Sequence, residues 1–128
     1  FGCGAFQEWD GFERVAGRIW NPDMRAHDPY GTFTVRITDG AHPVTRGMPD
    51  FDATDELYTC LDGEREIRVL CTATSVVDHK EYPMAFTVPA FPRVFHSLLG
   101  HGAESLQSEG MRALYRRATA WAAGLEAE

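Results

Sequence analysis

The residue pattern predicts a mixed domain of the α+β class, in which strands outnumber helices. In the stretch Thr32–Thr38, the apolar residues Phe33, Val35 and Ile37 alternate with polar ones, which is the period of a half-buried strand. Residues 65–74 contain an apolar run suited to a fully buried strand. Towards the end of the chain, apolar side chains recur at helical spacing. Two strand patterns and one helix pattern therefore define the expected domain.

The other elements follow from apolar spacing and turn residues. A short helix is expected over residues 6–17, where apolar residues recur at near-helical spacing until Gly17 provides a stop. Asparagine, proline and aspartate clusters predict a loop over 18–30, and the prolines of 42–54 predict a second loop with one helical turn. Further strands are expected at 56–61, 84–88 and 93–99, with a chain break at Glu81-Tyr82-Pro83. The last two strands should form a hairpin or lie side by side.

Size and charge limit the classes of function. The chain has 128 residues, 44% of them hydrophobic and 24% charged, which suits one domain over residues 1–128. Its net charge of -7 argues against nucleic-acid binding, because such binding depends on clustered Lys and Arg. Arg112, Arg116 and Arg117 form the nearest thing to a basic patch and are expected on the solvated face of the terminal helix. No apolar run approaches the roughly 20 residues that span a bilayer, so no membrane partner is expected.

The cysteines and the start of the chain bear on its location. Cys3, Cys60 and Cys71 show no metal-finger spacing, and an odd number does not suit a disulfide framework, so a reducing cytoplasm is expected. The chain begins at Phe1 without methionine, in a pattern typical of a strand-to-turn transition. We therefore expect a domain that is incomplete at its N-terminus.

An ordered set of short motifs runs along nearly the whole chain. The motifs are His27-Asp28, Gly31-Thr32-Phe33-Thr34-Val35, His42-Pro43-Val44-Thr45-Arg46-Gly47-Met48, Phe51, Asp55-Glu56-Leu57-Tyr58, Gly100-His101 and Trp121-Ala122-Ala123-Gly124. Each is weak by itself, but their order and spacing resemble the second half of a trehalose-utilisation (ThuA-like) domain. The resemblance implies an α/β fold of the flavodoxin-like, class I glutamine amidotransferase-like type. It is a three-layer sandwich, of which this chain would be the C-terminal portion with inserted antiparallel strands.

The resemblance also implies a role in carbohydrate utilisation. The expected partner is a small-molecule sugar, such as a keto-disaccharide, and the expected protein is an enzyme whose reaction type the residues leave open. A non-catalytic sugar- or partner-binding module on the same scaffold is the alternative. If the chain were complete, its sheet would lack its first strands and need a partner at that edge, which leaves a homo-oligomer open.

The candidate catalytic residues are His101 and Glu56. Ligands of doubly wound sheets lie beyond the carboxyl ends of the strands, which selects the Gly100-His101 loop and the turn at Cys3. His101 can act as acid, base or metal ligand near neutral pH, or it can simply begin a helix. Glu56 is expected to act with His101, unless it pairs with Arg46 to fix a loop.

Tyr58 and His27 are expected to bind the substrate. If Asp55-Glu56-Leu57-Tyr58 opens a strand, Glu56 and Tyr58 share a face, where a carboxylate and a phenol suit sugar hydroxyls. His27, Glu56 and His101 could together hold a divalent metal such as zinc, although no local signature supports this. His42 is expected to cap a structural turn, and His96 to be packed inside a strand.

Cys3 is the third catalytic candidate. Its glycine neighbours suit a strained strand-to-helix turn that exposes a nucleophile. Neither a base nor an oxyanion hole for the thiol can be identified, and a buried small apolar side chain is the alternative. Cysteine-dependent amide or acyl chemistry is therefore the last of the three hypotheses.

Overall fold

The computed structural model describes residues 9–21, 23 and 27–127 of the chain. Most of the described elements are strands, with one α-helix near each end of the described ranges. In chain order they are α1 (Asp10–Ala16), β1 (Ile19–Trp20), β2 (Gly31–Ile37), β3 (Phe51–Asp55), β4 (Leu61–Asp62), β5 (Arg68–Thr74), β6 (Glu81–Thr87), β7 (Phe95–Ser97), a 3-10 turn (Ser105–Gln107) and α2 (Glu109–Ala122). Within the described ranges, no helix is long and apolar enough to cross a membrane.

Five strands form one sheet in the order β3-β2-β5-β6-β7, and β1 pairs separately with β4. Every pairing between described strands is antiparallel. This agrees with the α+β class that periodicity predicts. The flavodoxin-like three-layer arrangement is not seen among these residues and stays a prediction from the resemblance.

The core lies between one face of this sheet and α2. Met111, Leu114 and Ala118 of the helix are buried against sheet residues that include Val35 and Met84. Burying each of the larger side chains is worth about 1.5–3 kcal/mol, so this contact is a main source of stability. The terminal amphipathic helix that the sequence predicts is confirmed.

Two strand patterns are also confirmed. The alternating stretch 32–38 forms β2, with Val35 fully buried and Thr34 and Arg36 exposed. The apolar run forms β5, and β6 and β7 pair as neighbours. The early helix ends at Gly17, as predicted, and this glycine has a φ of 81°.

Four predictions of local structure are wrong. The segment 42–54 was expected to be a loop, but its last residues form β3, and 56–61 holds only an isolated bridge at Tyr58 before the short β4. The loop 18–30 contains β1. Pro83 lies within β6 instead of breaking the chain, next to a register irregularity opposite Cys71 and Thr72, where a missing N–H costs little.

Candidate functional site

Four of the predicted site residues converge around the carboxylate of Glu56. The Tyr58 hydroxyl donates to Glu56 Oε2 at 2.7 Å. His101 Nδ1 lies 3.4 Å from the same oxygen, and His27 Nε2 lies 3.8 Å from Glu56 Oε1. The structure therefore brings together residues that are up to 74 positions apart, as His27 and His101 are.

These groups are reachable from solvent. The Glu56 side chain is 18% exposed, that of His27 31% and that of His101 51%. A carboxylate that is largely covered but open on one side can exchange protons with a ligand and still be held in place by its neighbours. The arrangement thus meets the geometric requirement of an acid/base site, while the catalytic roles of Glu56 and His101 stay predictions.

The position of His101 is set by Asp55, the last residue of β3. Asp55 is fully buried, and its carboxylate accepts hydrogen bonds from the backbone N–H of Gly100 at 2.6 Å and of His101 at 3.2 Å. Gly100 has a φ of 105°, a conformation that side chains with a Cβ rarely adopt. The loop after β7 is therefore fixed to the end of β3, directly beside Glu56.

His27 is held by both its backbone and its ring. It forms a bridge with Tyr58, and its Nδ1 lies 2.7 Å from the carbonyl oxygen of Asp28. Because a carbonyl only accepts, Nδ1 carries the proton and donates, which leaves Nε2 facing Glu56. The Asp28 carboxylate is buried and accepts from the Ser75 hydroxyl at 2.8 Å and the Val76 N–H at 2.7 Å. In this orientation His27 can take up a proton on the side of Glu56.

Tyr58 lies at the centre of the cluster. Since its hydroxyl donates to Glu56, the 3.3 Å contact with His101 Nδ1 requires the imidazole to donate to the phenol oxygen. The Tyr58 ring packs edge-on against Trp20 with centroids 5.4 Å apart. Glu56 and Tyr58 thus lie on the same side, as predicted, although they follow β3 instead of opening a strand.

A polar rim borders this cluster. The Tyr30 hydroxyl donates to Glu104 at 2.6 Å, and this bond with a carboxylate raises the pKa of Tyr30 to about 12. Glu104 is three residues beyond His101 in the same loop. The rim adds a phenol and a second carboxylate to the hydroxyl-binding groups nearby.

The described residues include no group of three or more His, Cys, Asp or Glu side chains placed to hold a metal ion. Zinc bonds to nitrogen and oxygen are about 2.0–2.2 Å long and need all ligands to face one point. Here the Tyr58 hydroxyl is bonded to the Glu56 oxygen that His101 faces. The metal set of His27, Glu56 and His101 stays a prediction.

The other candidates have separate outcomes. Cys3 lies outside the described residues. Glu56 faces imidazoles, whereas Arg46 contributes its carbonyl to a bond from Arg117, so the structure does not support the proposed Glu56–Arg46 pairing. His96 is 8% exposed with Nδ1 3.0 Å from the Ala16 carbonyl oxygen, which confirms a packed, satisfied histidine.

His42 also matches its prediction. It is buried, and its Nδ1 accepts from the Val44 N–H at 3.2 Å, so it stabilises a turn. Burial lowers its pKa.

Two positioning residues were missed from the sequence. Asp55 and Asp28 are buried carboxylates that hold the loops carrying His101 and His27. A signal for Asp55 existed, because it follows Phe51 and Ala53 at the spacing of an inward-facing strand position. An aspartate at such a position indicates a buried carboxylate that needs donors.

Comparisons with known proteins agree with the motif order. The ThuA family model, described as trehalose utilisation, matches residues 2–122. The structure is similar to the crystal structure of a ThuA-like protein from Parabacteroides merdae, with a TM-score of 0.81 and 26% identity over 94% of this chain and 57% of that one.

A ThuA-like protein from Bacteroides uniformis has a TM-score of 0.74 and 20% identity over 92% of this chain and 53% of that one, which shows the fold alone. This chain thus spans little more than half the length of either protein. No match was found among curated proteins. Because the family model covers most of the sequence, the chain belongs to the ThuA family, whose description is trehalose utilisation.

Proposed function

We propose that this protein is an enzyme of carbohydrate utilisation that performs acid/base chemistry on a keto-disaccharide or a related sugar. The observation that carries the proposal is the contact of one partly exposed carboxylate, Glu56, with the Tyr58 hydroxyl and with the imidazole of His101. Membership of a family described as trehalose utilisation supports the sugar as substrate.

In this proposal Glu56 and His101 exchange protons with the substrate. A keto-sugar has acidic C–H and O–H groups beside its carbonyl, and a carboxylate paired with an imidazole can remove a proton from one atom and return one to another. His101 Nδ1 lies close to both the Tyr58 hydroxyl and Glu56 Oε2. A proton that Glu56 removes from one substrate atom is therefore close to His101, which can return a proton to another atom. Tyr58 and His27 orient the sugar hydroxyls.

The alternative is a sugar- or partner-binding module without catalysis. It is favoured by the fact that the Tyr58 hydroxyl, Glu56 and His101 already satisfy one another, as they would in a preformed binding surface beside the Trp20 ring. The two functions differ in whether Glu56 and His101 are needed for turnover or only for affinity.

We infer that these strands belong to a flavodoxin-like, class I glutamine amidotransferase-like domain in the cytoplasm, supported by the family and by the cysteine pattern. Five antiparallel strands would then be the inserted part of the sheet.

The test compares the full chain with Glu56→Gln and His101→Ala. Turnover of a keto-disaccharide should fall by about 10²–10⁴-fold in both variants, as is typical when an acid or base is removed. Substrate affinity by calorimetry should change much less. Glu66→Gln removes the same charge from an exposed position and should retain full activity. Turnover that is unchanged in both variants would contradict the acid/base proposal, and saturable binding without turnover in the unmodified protein would establish the binding module.

A further inference from the structure

A polar cavity lies away from the Glu56 cluster, beside the end of α2. It has a volume of about 570 Å³ and is lined by Arg46, Arg93, Arg117 and Trp121, together with the residues that follow α2. We call these four residues the arginine pocket. None of them belongs to the Glu56 cluster, so a ligand here would bind independently of the proposed reaction.

Backbone contacts hold two of the guanidinium groups. Arg93 donates to the carbonyl oxygen of Trp121, and Arg117 Nη1 donates to the carbonyl oxygen of Arg46 at 2.7 Å. A guanidinium has five N–H donors in a fixed plane. One bond per side chain therefore fixes the direction of the group and leaves further donors for a ligand.

The charge of the pocket is unbalanced. Among the described residues, Arg36 and Arg68 form ion pairs with carboxylates, whereas none of the three pocket arginines does. The described lining contains a single carboxylate, Glu126, which is exposed. In a chain with a net charge of -7, this concentrates positive potential where an anion can be bound.

Arg93 adopts a backbone conformation that is costly for its residue type. Its φ is 63°, in the left-handed region, which costs a non-glycine residue about 1 kcal/mol or more. The guanidinium carbon lies 5.8 Å from the centre of the Trp121 ring, within cation–π range. Glycine would avoid this cost, but it would not place a guanidinium over the indole.

We propose that the arginine pocket binds the phosphate group of a small phosphorylated ligand, with the rest of the molecule beside the part of Trp121 that Arg93 and His42 leave uncovered. A phosphate carries a charge of about -1.5 to -2 and offers acceptors in several directions, which suits arginines that three chain segments contribute to one cavity. A carboxylate offers one charge and one plane, and so uses fewer of these donors.

The test is a titration of the full chain at constant ionic strength, followed by the indole N–H signal of Trp121 in NMR spectra. Inorganic phosphate, a hexose phosphate, the same hexose without phosphate, and acetate are the probes. We expect saturable shifts with both phosphates, tighter for the hexose phosphate, and none with the hexose. The double variant Arg46→Gln/Arg117→Gln should weaken binding by more than about ten-fold, because it removes two charged donors.

Two controls separate binding from folding and from net charge. Arg36→Gln/Arg112→Gln removes the same charge outside the pocket and should bind phosphate normally. Arg93→Gly relieves the left-handed strain but loses the contacts with Trp121, and these two effects offset each other. It should therefore unfold at about the same denaturant concentration as the unmodified chain and still bind phosphate more weakly. Shifts that are linear with concentration, equal for acetate and phosphate, or equal in both double variants would overturn the proposal. Equal affinity for inorganic phosphate and hexose phosphate would overturn the role of Trp121.

Discussion

The Asp55 carboxylate accepts a hydrogen bond from the backbone N–H of Gly100 at 2.6 Å, across 45 positions of the chain. The same carboxylate accepts from the N–H of His101, so the end of β3 determines where that imidazole lies. Asp55 itself is fully buried, so its carboxylate has no contact with solvent. It is a positioning residue, because it holds the backbone that carries His101.

Asp55→Asn should destabilise the protein by about 1–3 kcal/mol, because an amide brings its own donors towards backbone N–H groups that are buried. Chemical unfolding measures the loss. Turnover should fall as well, since His101 is no longer fixed. Asp52→Asn is the matched control, because Asp52 lies on the same strand but is exposed and accepts a hydrogen bond from the Thr34 hydroxyl, also at the surface. Similar losses in both variants would contradict the special position of Asp55.

Tyr58→Phe should separate the contribution of the Tyr58 hydroxyl from that of its ring. The ring that packs on Trp20 is retained, so the free energy of unfolding should change by no more than about 0.5–1.5 kcal/mol. Turnover should fall at least about ten-fold, because Glu56 loses its closest donor and His101 its partner. Steady-state kinetics and unfolding curves of the same preparation check both parts. Unchanged turnover would show that the hydroxyl has no role in the reaction.

The elements with a strong apolar period were predicted correctly. The alternation around Val35 and the helical spacing of Met111 and Leu114 identify faces that must be buried, and tertiary contacts agree with them. β3 was missed because Asp52 and Asp55 have low strand propensity. Its pairing with β2, in which Val35 lies opposite Phe51, overrides that local preference.

The sequence selected the side chains that converge on Glu56, but not the residues that support them; their roles stay predictions. Motif order identified Glu56, Tyr58 and His101, since polar residues in loops beside strands commonly carry function. The buried carboxylates of Asp28 and Asp55 were missed because most of their donors, such as the N–H groups of Val76 and Gly100, are distant in sequence. The strand spacing of Asp55 gave a signal for burial, but it did not reveal which distant groups donate to the carboxylate. The three arginines of the pocket likewise come from separate segments, which only the folded chain brings together.

Gly110→Ala should destabilise the protein although it lies in α2, where alanine is normally favoured by about 1 kcal/mol. A Cβ at this position would meet Cγ of Phe51 at 2.2 Å and its Cβ at 2.4 Å, so the helix could no longer pack closely on β3. The expected loss is about 1–3 kcal/mol in chemical unfolding. Gly11→Ala in α1 is the matched control, because nothing lies within 4 Å of its Cβ, and it should stabilise or be neutral. A stabilising Gly110→Ala would show that α2 is not held against β3 in this way.

His96 should make the folded state sensitive to mild acid. Its burial disfavours the imidazolium and lowers its pKa, so the unfolded chain takes up the proton more readily as the pH falls. Its contribution to stability is therefore present above the unfolded pKa of about 6.5 and is lost below it, and the free energy of unfolding should decrease between about pH 7 and about pH 5. The Arg68 guanidinium lowers the pKa of Asp39, but that carboxylate acts only at more acid pH. Burial lowers the pKa of His42 too, so a smaller slope of the same sign should remain without His96.

His96→Asn tests this dependence, because its amide can still donate to the Ala16 carbonyl oxygen but does not titrate. Urea unfolding at several pH values should show lower stability near neutral pH, from the lost ring contact with Phe86, together with a flatter slope towards acid. His79→Asn removes an exposed imidazole and should leave the slope as it is. If His96→Asn and His79→Asn give the same pH dependence, the buried imidazole is not the source of the acid sensitivity.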